Sequence, residues 1–383
     1  MKKFFVNVCS FVAVAVFLVG CSSPVAPATA PAPTPSPVTP ASVPISNVPL
    51  PTSQDDAWAK VIEAAKKEGK VNVYSFNMPG DVGLAVSKGF EQTYGIKVDI
   101  ITGGGAALAQ RITTERRMAA MVADIMDTNY LQISNIKDDG ATVSSADIPV
   151  LRETGVWTVE PWTNDPQKHI LMHTFAYHAG IMNTNLVKPS DEPKSLKELT
   201  LPKWKGRMSS YDVRQNSGLS TWFPTLLNRK LVDQDTVQAI GRNDVKWMPT
   251  ALDAAYTVVQ GEAAIVLLAT SQFGAIVASE PSLALKPLTM EEGTVVLNRA
   301  VAAVRDGPHP NAAKLLINWL LSKEGQMVFV KAESLTPARK DVPDFTPAAL
   351  RLTPSRLVVP TLDEEKENTR LFREGWLAKL WGR

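Results

Sequence analysis

Thiols are nearly missing from this sequence. Of 383 residues two are cysteine, Cys9 and Cys21, so nothing beyond position 21 can form a disulfide, a thiolate metal site or a cysteine nucleophile. Enzyme signatures are missing as well. The chain has no G-x-S-x-G elbow, no G-x-x-x-x-G-K-[ST] phosphate loop and no H-E-x-x-H pair. Neither sign of charge is in excess. The net charge is +2, and without Lys2 and Lys3 the basic and acidic side chains balance to zero. Nucleic acid therefore has no electrostatic claim as a partner.

What is present begins with an export signal. Lys2 and Lys3 precede an apolar run, Phe4 to Gly20, interrupted only by Asn7, Cys9 and Ser10. A basic start, an apolar centre and small exit residues are the layout of a secretory signal peptide, 1–20. The exit, Leu18-Val19-Gly20-Cys21, resembles a bacterial lipobox. The resemblance implies that Cys21 takes a lipid, becomes the new N-terminus and tethers the chain to the outer face of the cell membrane. The alternatives are a retained membrane helix, for which the run is barely long enough against a usual minimum of roughly 18 residues, and an ordinary cleaved signal. Prolines then crowd the stretch Pro24 to Pro51 among Ala, Ser, Thr and Val. Such a segment, 21–54, is expected to be an extended, semi-rigid linker.

The folded part is expected from about residue 55. Trp58, Val61, Ile62 and Ala65 recur at helical spacing, and Gly69 is placed as a stop. Val71 to Phe76 alternate as a strand. Asn77 to Gly83 read as a loop, Leu84 to Tyr94 as a helix, Lys97 to Thr102 as a second strand. After Gly103-Gly104-Gly105 comes a helix, then a third strand at Ala123 to Met126. Alternating strands and helices predict an α/β fold with a largely parallel sheet. Some 330 residues after the linker exceed one usual core, so two lobes are expected.

Several segments carry a family resemblance. Ala57 to Tyr74, Trp204-Lys205-Gly206-Arg207, Gly261-Glu262-Ala263, the run from Gly307-Pro308-His309-Pro310 to Glu324-Gly325-Gln326, and Leu335 to Arg339 look, in that order, like a type 2 periplasmic solute-binding protein of the ferric-ion-binding branch. The resemblance implies an α/β fold of two lobes with an interlobe cleft and a crossover-strand hinge. One crossing is placed near Thr174 to Asn183 and the return near Leu285 to Val296. Lobe 1 would be 55–175 plus 292–342, lobe 2 176–291 plus 343–383. In the late helix, Pro310 suits the first turn and Gly325 the stop. The implied activity is binding, not catalysis: a monomeric, lipid-anchored component that hands a small solute to an ABC permease, without a cofactor.

Ligands of open α/β sheets sit at the carboxyl ends of strands. That rule selects Ser75 and Asn77, then Gly104 and Gly105, then Asp127 and Thr128. The glycines feed a helix N-terminus, an apt cradle for an anion. In lobe 2 the resemblance implies Asp212, Arg214, Asn216 and Ser217, where Arg214 either pairs a ligand carboxylate or folds onto Asp212. The last set is Thr270, Ser271 and Gln272. Here the sequence departs from iron-binding relatives, which place two adjacent tyrosines there; this chain has no adjacent tyrosine pair. Neutral hydroxyls and amides suit a small polar or anionic solute, with iron, sugar, or a surface sensor or hydrolase as alternatives. His169, His173 and His178 cluster without a metal motif and read as structural, as does His309.

Overall fold

In the computed structural model, residues 53–383 are described, except 216, 217, 269–271, 334, 335, 353 and 354. The signal, Cys21 and the proline-rich stretch lie outside them. Among the described residues no helix is long and apolar enough to cross a membrane.

In chain order the first body runs α1 (Ser53–Glu68), β1 (Lys70–Ser75), α2 (Gly80–Tyr94), β2 (Lys97–Thr102), α3 (Gly105–Arg117), β3 (Ile125–Asn129), α4 (Tyr130–Asp138), β4 (Thr142–Val143) and β5 (Leu171–His178). The second follows with β6 (Ile181–Asn183), β7 (Met208–Tyr211), α5 (Leu219–Asn228), α6 (Gln234–Gly241), β8 (Lys246–Met248), α7 (Ala251–Val259), β9 (Ile265–Val266), α8 (Gln272–Ser279) and β10 (Leu285–Pro287). The chain then returns through β11 (Thr294–Val304), α9 (Pro310–Leu321), α10 (Lys323–Glu333), β12 (Leu357–Val358), α11 (Leu362–Arg373) and α12 (Trp376–Leu380).

Two sheets result. The first has the order β12-β11-β3-β1-β2, with β4 and β5 also paired to β11; the second is β10-β6-β9-β7-β8. The β1-β2 and β1-β3 pairs are parallel, and β11 runs antiparallel to β3 and β5. The chain passes from the first sheet to the second between His178 and Ile181, and back between Pro287 and Thr294. Gly180 permits the first passage, because a Cβ there would meet Val266 O at 2.7 Å.

Alternation along β1 sends Val71 and Val73 to one apolar layer with Phe90, Leu316 and Trp319, and Tyr74 to the opposite layer with Ile112, Met126 and Ile133. Phe90 and Trp319 meet nearly edge-on at 5.7 Å between centroids. The second sheet's core centres on Trp204, Trp222, Phe223 and Ile265. Leu377 and Trp381 enter that core, while β12 pairs with β11 in the first sheet, so the C-terminal segment touches both bodies.

Three boundaries differ from the sequence expectation. Helix α2 starts at Gly80 rather than Leu84. The third strand is β3, Ile125–Asn129, later than Ala123 to Met126; Asp124 precedes it, with its carboxylate on the Asn72 N–H at 2.7 Å. Gly325 does not stop the late helix. That helix ends at Leu321 and Gly325 lies in the first turn of α10, where a Cβ would stand 1.9 Å from Trp319 O.

Candidate functional site

The first set of expected residues converges. Asp127, fully buried in β3, accepts from Ser75 Oγ at 2.5 Å and Asn77 Nδ2 at 2.8 Å, and its Oδ1 lies 2.7 Å from His173 Nε2 on β5. Asp127 and Thr128 are strand residues, not the loop residues expected after it. Ser75, Asp127 and Thr128 have no exposed surface and Asn77 almost none. His173 Nδ1 is buried without a partner. The carboxylate lies between serine and imidazole, so this is not the order of a nucleophilic triad, in which the base stands between. It is a polar pin through the sheet.

Gly104 caps α3 and Gly105 opens it, with no side chain bonded to the cap. A Cβ on Gly105 would lie 2.3 Å from Thr128 Oγ1, so only glycine lets α3 start this close to β3. Thr128 Oγ1 itself is buried with no partner. Gly103 and Gly104 are exposed, and the open first turn of α3 offers its N–H groups and positive dipole end to solvent.

Beyond β7, Arg214 folds back on Asp212. Its Nε lies 3.0 and 3.2 Å from the two carboxylate oxygens, and Nη2 closes on Oδ2. The guanidinium holds the Asp212 carboxyl at about 2, below its usual range. Asn216, Ser217, Thr270 and Ser271 lie outside the described residues, and of Gln272, which opens α8, only the backbone is described.

One feature gave no signal in the sequence. A cavity of about 220 Å³ opens between the first turns of α4 and α5, lined by Asn129, Gln132, Thr221, Leu297, Glu365 and Asn368 among others. Asn129 caps α4 through the Gln132 N–H at 3.0 Å. Gln132 joins this cavity to the α3 turn, since its Cγ is 3.3 Å from the Gly105 Cβ position. The far wall is α11, which fastens to both bodies. Arg229 at the end of α5 grips Glu364 at 2.8 and 2.7 Å, Asn368 bonds Thr225 of α5 at 3.0 Å, and Lys366 reaches Asp138 of α4 at 3.3 Å. Thr361 and Glu364 form a reciprocal cap at its start.

Glu365 faces inward from that helix. Burial pushes its carboxyl up to about 7, against the pull of donors from Asn298 Nδ2, at 3.0 Å, and the Leu131 N–H. The other histidines are placed as follows. His169 Nδ1 lies 3.0 Å from Thr142 Oγ1 and His309 Nδ1 2.8 Å from Asp124. His178 is buried at the end of β5 with Nε2 unpaired, and burial lowers it to about 4. Among the described residues no three His, Cys, Asp or Glu side chains group to hold a metal.

Residues 71–332 match a family described as bacterial extracellular solute-binding protein. Solved structures with the same fold include the Trichodesmium protein IdiA (FutA) in complex with iron and citrate, at 19% identity and a TM-score of 0.68, covering 82% of this chain and 99% of that one. The Mannheimia haemolytica ferric iron-binding protein A in an open conformation follows at 16% and 0.66, covering 82% and 98%. The Actinobacillus pleuropneumoniae periplasmic binding protein AfuA with fructose-6-phosphate bound aligns at 19% and 0.60, covering 81% and 99%.

Proposed function

Because the chain belongs to the bacterial extracellular solute-binding protein family, we propose that it captures a small polar or anionic solute between its two sheets and delivers it to an ABC permease. Its fold is the two-lobed type 2 periplasmic-binding-protein fold, and the family's place is outside the cytoplasm. The observation that carries the reading is the polar cavity at the mouths of α4 and α5, beside the strands on which the chain crosses between sheets. Lobe 1 is taken as 55–175 plus 292–342 and lobe 2 as 176–291 plus 343–383, closing on the solute by bending at the crossings. Ser75, Asn77 and Asp127 support the cleft floor from below. The open α3 turn at Gly104 and Gly105, with Thr128 beneath, suits an oxyanion. Asp212, Arg214, Asn216, Ser217, Thr270, Ser271 and Gln272 are assigned to the opposite wall. Ferric iron, which the Trichodesmium neighbour holds with citrate, is disfavoured here, because Thr270 to Phe273 offers neutral groups where phenolates would be needed.

A thermal-shift panel of organic acids, phosphonates, amines, sugars and ferric citrate tests the reading. A true ligand at 100 times its dissociation constant adds about 2.7 kcal/mol of apparent stability. A panel with no shift, or with a shift from ferric citrate alone, sinks it. We further propose a lipid anchor on Cys21 that keeps the protein near its permease across the proline-rich linker. Cys21→Ser is expected to move the protein from the membrane to the soluble fraction; retention on the membrane argues for an uncleaved helix instead.

A further inference from the structure

The cavity under α11 is short of positive charge. Among the described residues Glu365 is the sole ionisable side chain on its wall. Several donors in reach are already spent. Asn129 takes the Gln132 N–H, and Glu365 takes the Leu131 N–H and Asn298 Nδ2. Asn368 Nδ2 is committed to Thr225 Oγ1. Beside the Asn129 and Gln132 side-chain amides and the Thr221 and Thr369 hydroxyls, which can donate or accept, two acceptors are left over. Asn298 Oδ1 and Asn368 Oδ1 are both buried with no donor, on residues that are 1% and 2% exposed. Turning the Asn298 amide gives no relief, because it would set oxygen against the Glu365 oxygen.

The cations nearby are engaged elsewhere. Arg229 from α5 is held by Glu364, Lys366 on α11 by Asp138 of α4, and Lys137 of α4 by Asp165. Arg299, next to Asn298 on β11, has its own partner. Tyr130 of α4 and Asp165 face the same region and bring no positive charge. So, among the described residues, the carboxylate that looks into the cavity has no counter-ion on the cavity wall.

We propose that this cavity seats the ammonium group of an amine solute, with the Glu365 carboxylate as its counter-charge and the free Asn368 oxygen on the wall as a further acceptor. The proposal rests on the solute-binding reading above and names the chemical class of the solute. An ammonium brings three donors and a unit positive charge, and that charge is what the wall lacks among its described residues. A carboxylate or phosphate would instead meet a like charge, and a sugar hydroxyl would leave that charge unpaired. At about 220 Å³ the space suits a small organic cation.

The test is isothermal titration of the full chain with putrescine and ethanolamine, and with succinate and glucose as anionic and neutral controls, at pH 8 and pH 6. Amine binding at pH 8, roughly tenfold weaker at pH 6 where Glu365 takes up a proton, is the expected result. Glu365→Gln is expected to abolish it at both pH values, and Glu365→Asp to keep a weakened form. Should Glu365→Gln fail to fold, Leu297→Arg, at a half-exposed position on the cavity wall, places a fixed cation there and is expected to block amines alone. Amine binding that survives both Glu365→Gln and Leu297→Arg overturns the proposal. Binding of succinate or glucose without amine binding also overturns it and leaves solute capture standing. Silence from all four probes counts against both.

Discussion

Asp127 and Glu365 are both carboxylates drawn into the fold, Asp127 fully buried and Glu365 partly exposed, and both touch strands of the first sheet. Asp127 is met by a hydroxyl, an amide and an imidazole at 2.5, 2.8 and 2.7 Å. Glu365 is met by one amide and one backbone N–H, and it looks into a cavity beside two buried oxygens with no donor. The first arrangement answers its own charge, although His173 Nδ1 is left without a partner. The second is incomplete within the fold. Buried polar groups that are fully paired fix a structure, whereas those left short point to a missing partner. The difference between pin and site therefore lies in who supplies the donors, not in residue type.

The largest expected effect breaks the pin. Asp127→Ala leaves Ser75, Asn77 and His173 facing a hole at a position with no exposure. Removing one member of such a buried charged group costs about 3–5 kcal/mol. Urea denaturation of the exported chain is expected to show that loss, and Glu365→Ala a much smaller one. Equal losses at the two positions would erase the distinction between pin and site.

The next prediction uses pH. The Glu365 carboxyl is raised from 4.5 to about 7, and the His178 imidazole is lowered from 6.5 to about 4, both chiefly by burial. For Glu365, the folded chain keeps a proton that the unfolded chain has shed between those values. Its contribution is therefore full below about 4.5 and is lost as pH rises to about 7, by roughly 3 kcal/mol. For His178, the unfolded chain holds a proton that the folded chain refuses. Its contribution is present above about 6.5 and is lost as pH falls to about 4, by a similar amount. From about pH 4.5 to 6.5 the two slopes oppose and largely cancel. Glu365→Gln is expected to leave stability rising with pH across that window, and His178→Gln to leave it falling. Denaturation midpoints at four pH values between about 4.5 and 7.5 check this, and identical profiles in all three proteins would contradict it.

Sequence reasoning reached the pin by a strand-end rule and assigned it to ligand contact, whereas the structure buries these side chains. The rule correctly gathered Ser75, Asn77 and Asp127, but it placed Asp127 and Thr128 in a loop because it ended the third strand at Met126. The parallel register of β3 on β1 reaches Asp127, opposite Ser75, and the antiparallel register on β11 carries the strand on to Asn129. Helix α11 could be anticipated from the Thr361–Glu364 spacing and its charged faces. Glu365 could not, because nothing local separates it from Glu364 or Glu367. Its role follows from Asn298, 67 residues away. Likewise Gly325 reads as a stop signal until Trp319 O is found in the space its side chain would need. Periodicity reports which face is buried; it does not report which buried groups lack partners.

The smallest expected effect concerns Arg214, and it separates the two ends of the proposed cleft. Its guanidinium is largely exposed and spends Nε and Nη2 on Asp212. An exposed ion pair of this kind contributes little to folding, so Arg214→Ala is expected to leave the denaturation midpoint unchanged. Its effect on binding depends on the solute. An anion held between the α3 turn and Arg214 must compete with Asp212 for the guanidinium, and its affinity should fall in the variant. An amine seated on Glu365 makes no use of Arg214, and its affinity should hold. Titrating Arg214→Ala and Glu365→Gln with the same solute therefore reads which end of the cleft the charge occupies. Loss in the first variant alone places it by α3; loss in the second alone places it under α11. Loss in neither would remove both charged side chains from the binding surface and leave recognition to the amides and hydroxyls of the wall.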